Sequence, residues 1–417
     1  MSLPALKRPH PAAKPFLPYG RQVIEEDDVR AVCDVLRGEY LTTGPAVGRF
    51  EAALAKTVNA KHAVVCANGT AALYLAARAL GLGPGTRIIV PSLTFLATAS
   101  APYLNGAEIV FADVDPDSGL MRPQDLAEAI GRAGHGGRAG RADAVFNVHL
   151  NGQCGALEEI AQVARANGLK IVDDSCHALG TAYFAKNGAP SLIGENAFCD
   201  LSVFSFHPVK AIAMGEGGAV TTNDPDIAAI LARTRNHGMT RNTDEFANAR
   251  DAFETEGRPN PWYYELVEPG FNWRATDIQC ALGLSQLAKL DRFLARRRAL
   301  AAVYDELLAP YAPRLRPVAR QENCLPALHL YAVQIDFPSF GLTRAALMRA
   351  LAEEGIGSQV HYFPVHRQRF YAERYGVPFL PGAERYYARA LSLPFFASMN
   401  EDDVARVVRV MTKILGF

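Results

Sequence analysis

The sequence predicts an α/β protein: a large domain with a mostly parallel central sheet flanked by helices, then a smaller α+β carboxy-terminal domain. Three observations carry that expectation. Short strand-like apolar runs alternate with longer stretches whose apolar residues recur at helical spacing, the pattern of βαβ units. At 417 residues and 49% hydrophobic, the chain can bury a sizeable core in two or three domains, or in one large domain with an appendage. After a long helical stretch from Thr276 to about Leu308, the pattern changes to scattered strands and helices.

The elements follow in order. Residues 1–18, with five prolines and little periodicity, read as a flexible arm. The large domain is expected over 19–289. Helical spacing covers Glu25–Leu36 and Val47–Val58. The strand His62–Cys66 runs through Asn68-Gly69-Thr70 into a helix, Ala71–Leu80. Further strands are expected at Arg87–Val90, Ile109–Phe111, Ala144–Phe146, Lys170–Val172 and Ala219–Thr222, with a helix at Ala156–Ala166. Apolar residues at 278, 282, 287, 290 and 294 predict one long helix or two in tandem. The small domain, 290–417, should hold strands at Leu330–Ile335 and Ser358–Tyr362 and helices at Ala346–Glu354 and Asp402–Leu415.

Composition limits the function. Forty-three basic and 43 acidic side chains leave no net charge, which argues against nucleic acid or an anionic membrane as the main partner. No apolar run approaches a transmembrane span, and the amino terminus has no apolar signal core. Seven scattered cysteines with no Cys-x-x-Cys suggest neither a zinc site nor a disulfide framework. A reduced, cytoplasmic protein without a metal is expected. Gly81-x-Gly83-x-Gly85 precedes a strand, the wrong order for a dinucleotide fingerprint. The Gly- and Arg-rich run 131–141 has no Walker lysine and reads as a surface loop.

Four strand ends carry unusual polar residues, and ligands of parallel sheets gather at such ends. Backbone N–H groups at Asn68-Gly69-Thr70 suit a phosphate, and Thr70 adds a hydroxyl. Asp173-Asp174-Ser175-Cys176-His177 ends a buried strand with carboxylates that need a cationic partner. Thr94-Phe95 supplies an aromatic plane. Lys210, one of nine lysines, follows Ser205 and His207 at a strand-to-loop junction, where desolvation can leave an amine neutral and nucleophilic. The remaining lysines read as parts of the arm, a turn, the exposed start of a strand (Lys170), or solvated faces and ends of helices, Lys289 among the last. A phosphate anchor, an anion, a platform and an amine are the four things pyridoxal 5'-phosphate (PLP) requires.

These motifs, with Tyr19-Gly20-Arg21-Gln22, Leu41-Thr42-Thr43-Gly44-Pro45, Gly270-Phe271-Asn272-Trp273-Arg274, His329-Leu330-Tyr331 and Val360-His361-Tyr362, occur in one order from Tyr19 onward. So ordered, the chain resembles the DegT/DnrJ/EryC1/StrS nucleotide-sugar aminotransferases, of the PLP-dependent fold type I. The resemblance implies roles. Lys210 would be the Schiff-base lysine and proton shuttle, Asp174 would hold the pyridinium nitrogen, and His177 would contact the ring oxygen. Gly69, Thr70 and Ser205 would bind phosphate, and Phe95 would stack on the ring. Asn272 would reach the phosphate of the partner subunit's cofactor, implying a homodimer with shared sites. Tyr19, Leu41, Thr42, His329, Gln359, His361 and Tyr362 would shape the sugar-nucleotide pocket. Cys176 stands where relatives usually carry Ala or Ser.

Within that family the likeness is to transaminases of UDP-linked 4-keto-6-deoxy sugars on the pseudaminic acid route, with glutamate as donor. A dTDP- or GDP-keto-sugar is the alternative substrate. Lysine rather than histidine at 210 points away from the family's dehydratases. A PLP-binding regulator or inactive partner is the reading of a different class, and a nicotinamide dehydrogenase lacks its fingerprint. His149, His237 and His366 read as structural, and Glu216 as fixing its Gly-rich turn. Trp262-Tyr263-Tyr264 suits either an interface or a substrate lid.

Overall fold

The computed structural model describes residues 16–134 and 141–417. Residues 1–15 of the expected arm, and 135–140 of the Gly- and Arg-rich loop, lie outside them.

Residues 62–222 wind into one seven-stranded sheet. Its strands are β1 (His62–Cys66), β2 (Arg87–Pro91), β3 (Glu108–Ala112), β4 (Ala144–Val148) and β5 (Lys170–Asp174). After a short antiparallel pair, β6 (Ala182–Phe184) and β7 (Pro190–Leu192), come β8 (Leu201–Ser205) and β9 (Gly218–Thr222). The order across the sheet is β1-β9-β8-β5-β4-β2-β3. The pairs from β8 to β3 are parallel, whereas β9 runs antiparallel to both β1 and β8.

Side-chain alternation divides the sheet between two cores. Ile88 and Val90 of β2 face a cluster with Val64, Phe146, Val172 and Val203, covered by α3 (Gly69–Ala79). Ile89 of β2 faces the other side with Val145 and Ile171, packed beneath α5 (Pro123–Gly134) and α6 (Leu157–Ala166). Burial on both faces is why these strands read as continuous apolar runs.

The helical stretch after Thr276 is two helices. Thr276 and Gln279 form a reciprocal capping box at the start of Asp277–Leu287, and the chain breaks at Ala288–Lys289 before Leu290–Leu308. Lys289 is not on a solvated face. It is 8% exposed, with Nζ 2.5 Å from Asp27 Oδ1, 2.9 Å from Asp28 Oδ1 and 3.3 Å from Glu25 Oε2. Those acids open α1 (Glu26–Arg37) and its cap, so the lysine fastens that helix to the junction.

A second antiparallel sheet joins Leu315–Pro317, Tyr331–Ile335 and Ala390–Leu393. It shares an apolar cluster with Leu300, Tyr304, Leu347, Val407 and Met411 from the helices Leu290–Leu308, Arg344–Glu353 and Glu401–Leu415. The expected strand at Ser358–Tyr362 does not form. Only Gln359 bridges Ser392, and the residues beyond it line a cavity instead of continuing the ladder. Among the described residues no helix is long and apolar enough to cross a membrane.

Candidate active site

The carboxyl ends of β4, β5 and β8, the start of α3 and the loop 359–363 enclose a cavity of about 1010 Å³. Topology dictates its place. The parallel strands deliver their carboxyl ends to one edge of the sheet, and loops built there can converge.

At the β1–α3 turn, Asn68 caps the helix through Oδ1, accepting from Ala71 N at 2.9 Å, while its carbonyl accepts from Ala72 N. The N–H groups of Gly69 and Thr70 are left without a partner among the described residues, and both residues line the cavity. The turn is tightly seated. A Cβ on Gly69 would lie 2.9 Å from Ser205 Cβ, and one on Gly218 would lie 2.3 Å from the Asn68 carbonyl oxygen.

Asp174 and Asp173 end β5 facing opposite ways, as consecutive strand residues must. Asp174 lines the cavity; its Oδ2 accepts from Thr98 Oγ1 at 2.6 Å, and its Oδ1 from Cys176 N at 3.2 Å. Thr98 in turn lies 2.7 Å from Thr94 Oγ1. Asp173 points away, 3.2 Å from His149 Nε2 and 3.3 Å from Asn147 Nδ2. Burial opposes charge on His149, but the carboxylate prevails and its pKa is raised.

Lys210 follows β8 on the cavity wall. Burial lowers the pKa of its amine, against the opposing pull of Cys176 and Asp174. No hydrogen bond holds its Nζ among the described residues. Three imidazoles stand nearby. The rings of His177 and His329 are 4.2 Å apart, His177 Nε2 lies 3.1 Å from Tyr362 OH, and His361 Nδ1 lies 2.8 Å from Ser392 Oγ. Burial first, then the charge of Lys210 and neighbouring histidines, pushes all three below the usual imidazole range, His361 to about 3. Buried His177 Nδ1 has no partner among the described residues. Phe95, 53% exposed, sits at the rim with its ring 6.1 Å from Tyr362.

The cavity thus gathers Gly69, Thr70, Phe95, Asp174, His177, Ser205 and Lys210 with Tyr19, His329, Gln359, His361 and Tyr362. Leu41, Thr42 and Asn272 are not among its lining residues. Thr42 bridges Thr276, Leu41 gives its carbonyl to Asp277 N, and exposed Asn272 bridges Asn236. Sequence reasoning missed Thr98 and the aromatic wall of Tyr74, Phe271 and Trp273, in which the last two rings stack at 4.6 Å. Thr98 stands one helical turn after Thr94, and that spacing is the signal for it. The aromatic wall joins residues two hundred positions apart and leaves no local signal. Glu216 also lines the cavity, while its carbonyl takes a hydrogen bond from Gln279 Nε2 at 2.7 Å.

This donor set fits PLP. Two free N–H groups at a helix start suit a phosphate, and an orphaned buried imidazole nitrogen and an inward carboxylate remain for polar atoms of a ring. The comparisons agree. Residues 22–412 match the DegT/DnrJ/EryC1/StrS aminotransferase family, and the chain belongs to it. It is 36% identical over 403 residues to the spore coat polysaccharide biosynthesis protein SpsC of Bacillus subtilis, covering 96% of this chain and 97% of that one. Helicobacter pylori PseC, an aminotransferase involved in pseudaminic acid biosynthesis, superposes with a TM-score of 0.84 at 28% identity, covering 96% and 99% of the two chains. The PLP form of Streptococcus pneumoniae Spr1654 gives 0.82 at 26% identity, covering 96% and 99%. The protein is a PLP-dependent aminotransferase of this family.

Proposed function

We propose that this aminotransferase moves the amino group of glutamate to a nucleotide-linked 4-keto-6-deoxy sugar. The substrate we favour is UDP-2-acetamido-2,6-dideoxy-β-L-arabino-hex-4-ulose, giving the 4-amino sugar of the pseudaminic acid route. One observation carries the reaction type: a single cavity holds a lysine amine, an inward carboxylate and a phosphate-ready helix start. The likeness to PseC supports the choice of sugar.

In this reading, Gly69, Thr70 and Ser205 hold the phosphate of PLP, Asp174 holds its ring nitrogen, His177 its ring oxygen, and Phe95 covers the ring. Bound there, PLP supplies an electron-withdrawing ring that acidifies the carbon bearing the amino group. The chain's own residues do the rest. Thr98 and the Cys176 amide hold the Asp174 carboxylate in place, aimed into the cavity where the ring nitrogen would sit. Burial keeps Lys210 poised to take a proton at Nζ and return it. Tyr19, Gln359, His361 and Tyr362 form the wall that orients the sugar, and Val360 and Phe363 add apolar lining beside them.

We further propose that 19–289 and 290–417 act as large and small domains, and that two copies share sites, with Asn272 reaching the partner subunit's phosphate. Its exposure outside its own cavity supports that. The test offers glutamate with UDP-, dTDP- and GDP-linked 4-keto-6-deoxy sugars and measures oxoglutarate. Turnover of the UDP sugar is expected; turnover of only the dTDP or GDP sugars would overturn the substrate assignment, and none with any of them the sugar itself.

A further inference from the structure

Arg297 is the side chain the reaction leaves unexplained. It lies within the helix Leu290–Leu308, is 3% exposed, and makes no ion pair with a carboxylate among the described residues. A buried cation without a counter-ion is costly, so its bonds to dipoles matter. Nη1 donates to the carbonyls of His329 at 3.1 Å, Phe395 at 3.3 Å and Leu328 at 3.4 Å. The guanidinium also lies 5.5 Å from the Phe395 ring.

Two of those carbonyls, of Leu328 and His329, belong to a turn that needs holding. Leu328 has φ 53°, the left-handed region that a residue with a Cβ avoids. His329 N donates to Asn151 O at 3.1 Å, and Gly152 lets the two segments touch. A Cβ at Gly152 would lie 2.7 Å from the His177 carbonyl and 3.0 Å from His329 N. From this turn the His329 ring packs 4.2 Å from that of His177, whose Nε2 meets Tyr362.

We propose that Arg297 is a positioning residue of the aminotransfer site: its guanidinium clamps the Leu328–His329 turn and so fixes the His329 ring against His177. The inference rests on the reading of this cavity as the reaction site. Its charge acts in the same direction. The groups facing His329 are His177, Lys210, Arg297 and His361, every one a cation when charged, and with burial they hold its imidazole neutral. A neutral ring beside His177 can share the work of binding uncharged polar groups without repelling a cationic amine.

The test uses Arg297→Lys, which keeps the charge but not the planar fork, and Arg297→Met, which removes both. On the cofactor-free protein, the His329 ring titration is followed by NMR with labelled histidine. Arg297→Met should raise its midpoint, because one of the cations facing the ring is gone, and Arg297→Lys should leave it in place. In the PLP-loaded enzyme both should lower kcat by about tenfold or more, with the donor KM changed by less than about threefold. Wild-type kcat in Arg297→Lys, or an unmoved His329 titration in Arg297→Met, would overturn the proposal. If Arg297→Met does not fold, Arg297→Lys decides alone. Because the titration needs no substrate, a wild-type protein that transfers no amino group would sink the functional reading without deciding this one.

Discussion

Replacing Gly218 by alanine tests how the phosphate cradle is built. Gly218 opens β9 against the β1–α3 turn, and its φ is not in the left-handed region, so the effect of a Cβ is purely steric. That Cβ would lie 2.3 Å from Asn68 O, 2.4 Å from Asn68 C and 2.7 Å from Gly69 N. Carbon contacts are comfortable at about 3.5–4.0 Å, so one backbone must retreat by about 1 Å from the other. Overpacking of this kind costs about 1–3 kcal/mol. If the retreat carries the Gly69 and Thr70 N–H groups with it, PLP affinity should fall about 10- to 100-fold, at 1.4 kcal/mol per decade. Gly69→Ala, whose Cβ would meet Ser205 Cβ at 2.9 Å, should weaken binding less, and Gly48→Ala, with nothing within 4 Å, should not weaken it at all. The assay is a PLP titration followed by the visible cofactor band, with a melting curve for each variant. A Gly218→Ala protein that melts with the wild type and binds PLP within twofold would show that the cradle does not depend on this contact.

Other outcomes follow from the same geometry. Asp174→Asn removes a carboxylate but keeps its shape; losing charge-assisted bonding worth about 1.5–3 kcal/mol should lower kcat by about 10- to 150-fold, and steady-state kinetics within threefold of wild type would contradict it. Lys289→Met takes from the fully buried Asp28 carboxylate its only ion-pair partner among the described residues and leaves it the hydrogen bonds from Gln286 Nε2 and Glu25 N, so urea unfolding should lose about 3 kcal/mol; a loss under 1 kcal/mol would show that the cluster is solvated in practice. The lowered pKa of His361, about 3 folded against 6.5 unfolded, means that only the unfolded chain binds that proton in between. Stability should therefore be lost as pH falls below about 6.5, and His361→Asn should flatten that decline in urea midpoints; parallel curves would count against a neutral buried ring. Mixing inactive Lys210→Ala with inactive Asn272→Ala chains should restore activity if sites are shared across a dimer, whereas no recovery despite mixed dimers would place Asn272 outside the reaction.

How far the chain could be read depended on whether a signal was local. The parallel strands were legible because a strand buried on both faces is apolar throughout, as β4 is. The turn at Asn68 was legible because a cap and its helix are adjacent in sequence. Lys289 was misread for the opposite reason: its helix pattern looks solvated, and the three acids that bury it arrive from residues 25–28. Ser358–Tyr362 has the composition of a strand, but beyond Gln359 no neighbouring strand pairs with it, and composition cannot report a missing partner. The site divides in the same way. Lys210, Asp174 and the helix start each mark a strand end, so topology brings them together. Thr98, which fixes the carboxylate, and the Tyr74–Trp273 wall depend on packing between distant segments.

The central claim is that Lys210 is the amine that joins PLP. Borohydride reduction of the yellow holoenzyme, digestion and mass spectrometry locate the attachment directly. One pyridoxyl adduct is expected, on the peptide carrying Lys210, with loss of both the visible band and activity in Lys210→Ala. An adduct on any other lysine, or a Lys210→Ala protein that keeps its band and its turnover, would contradict it.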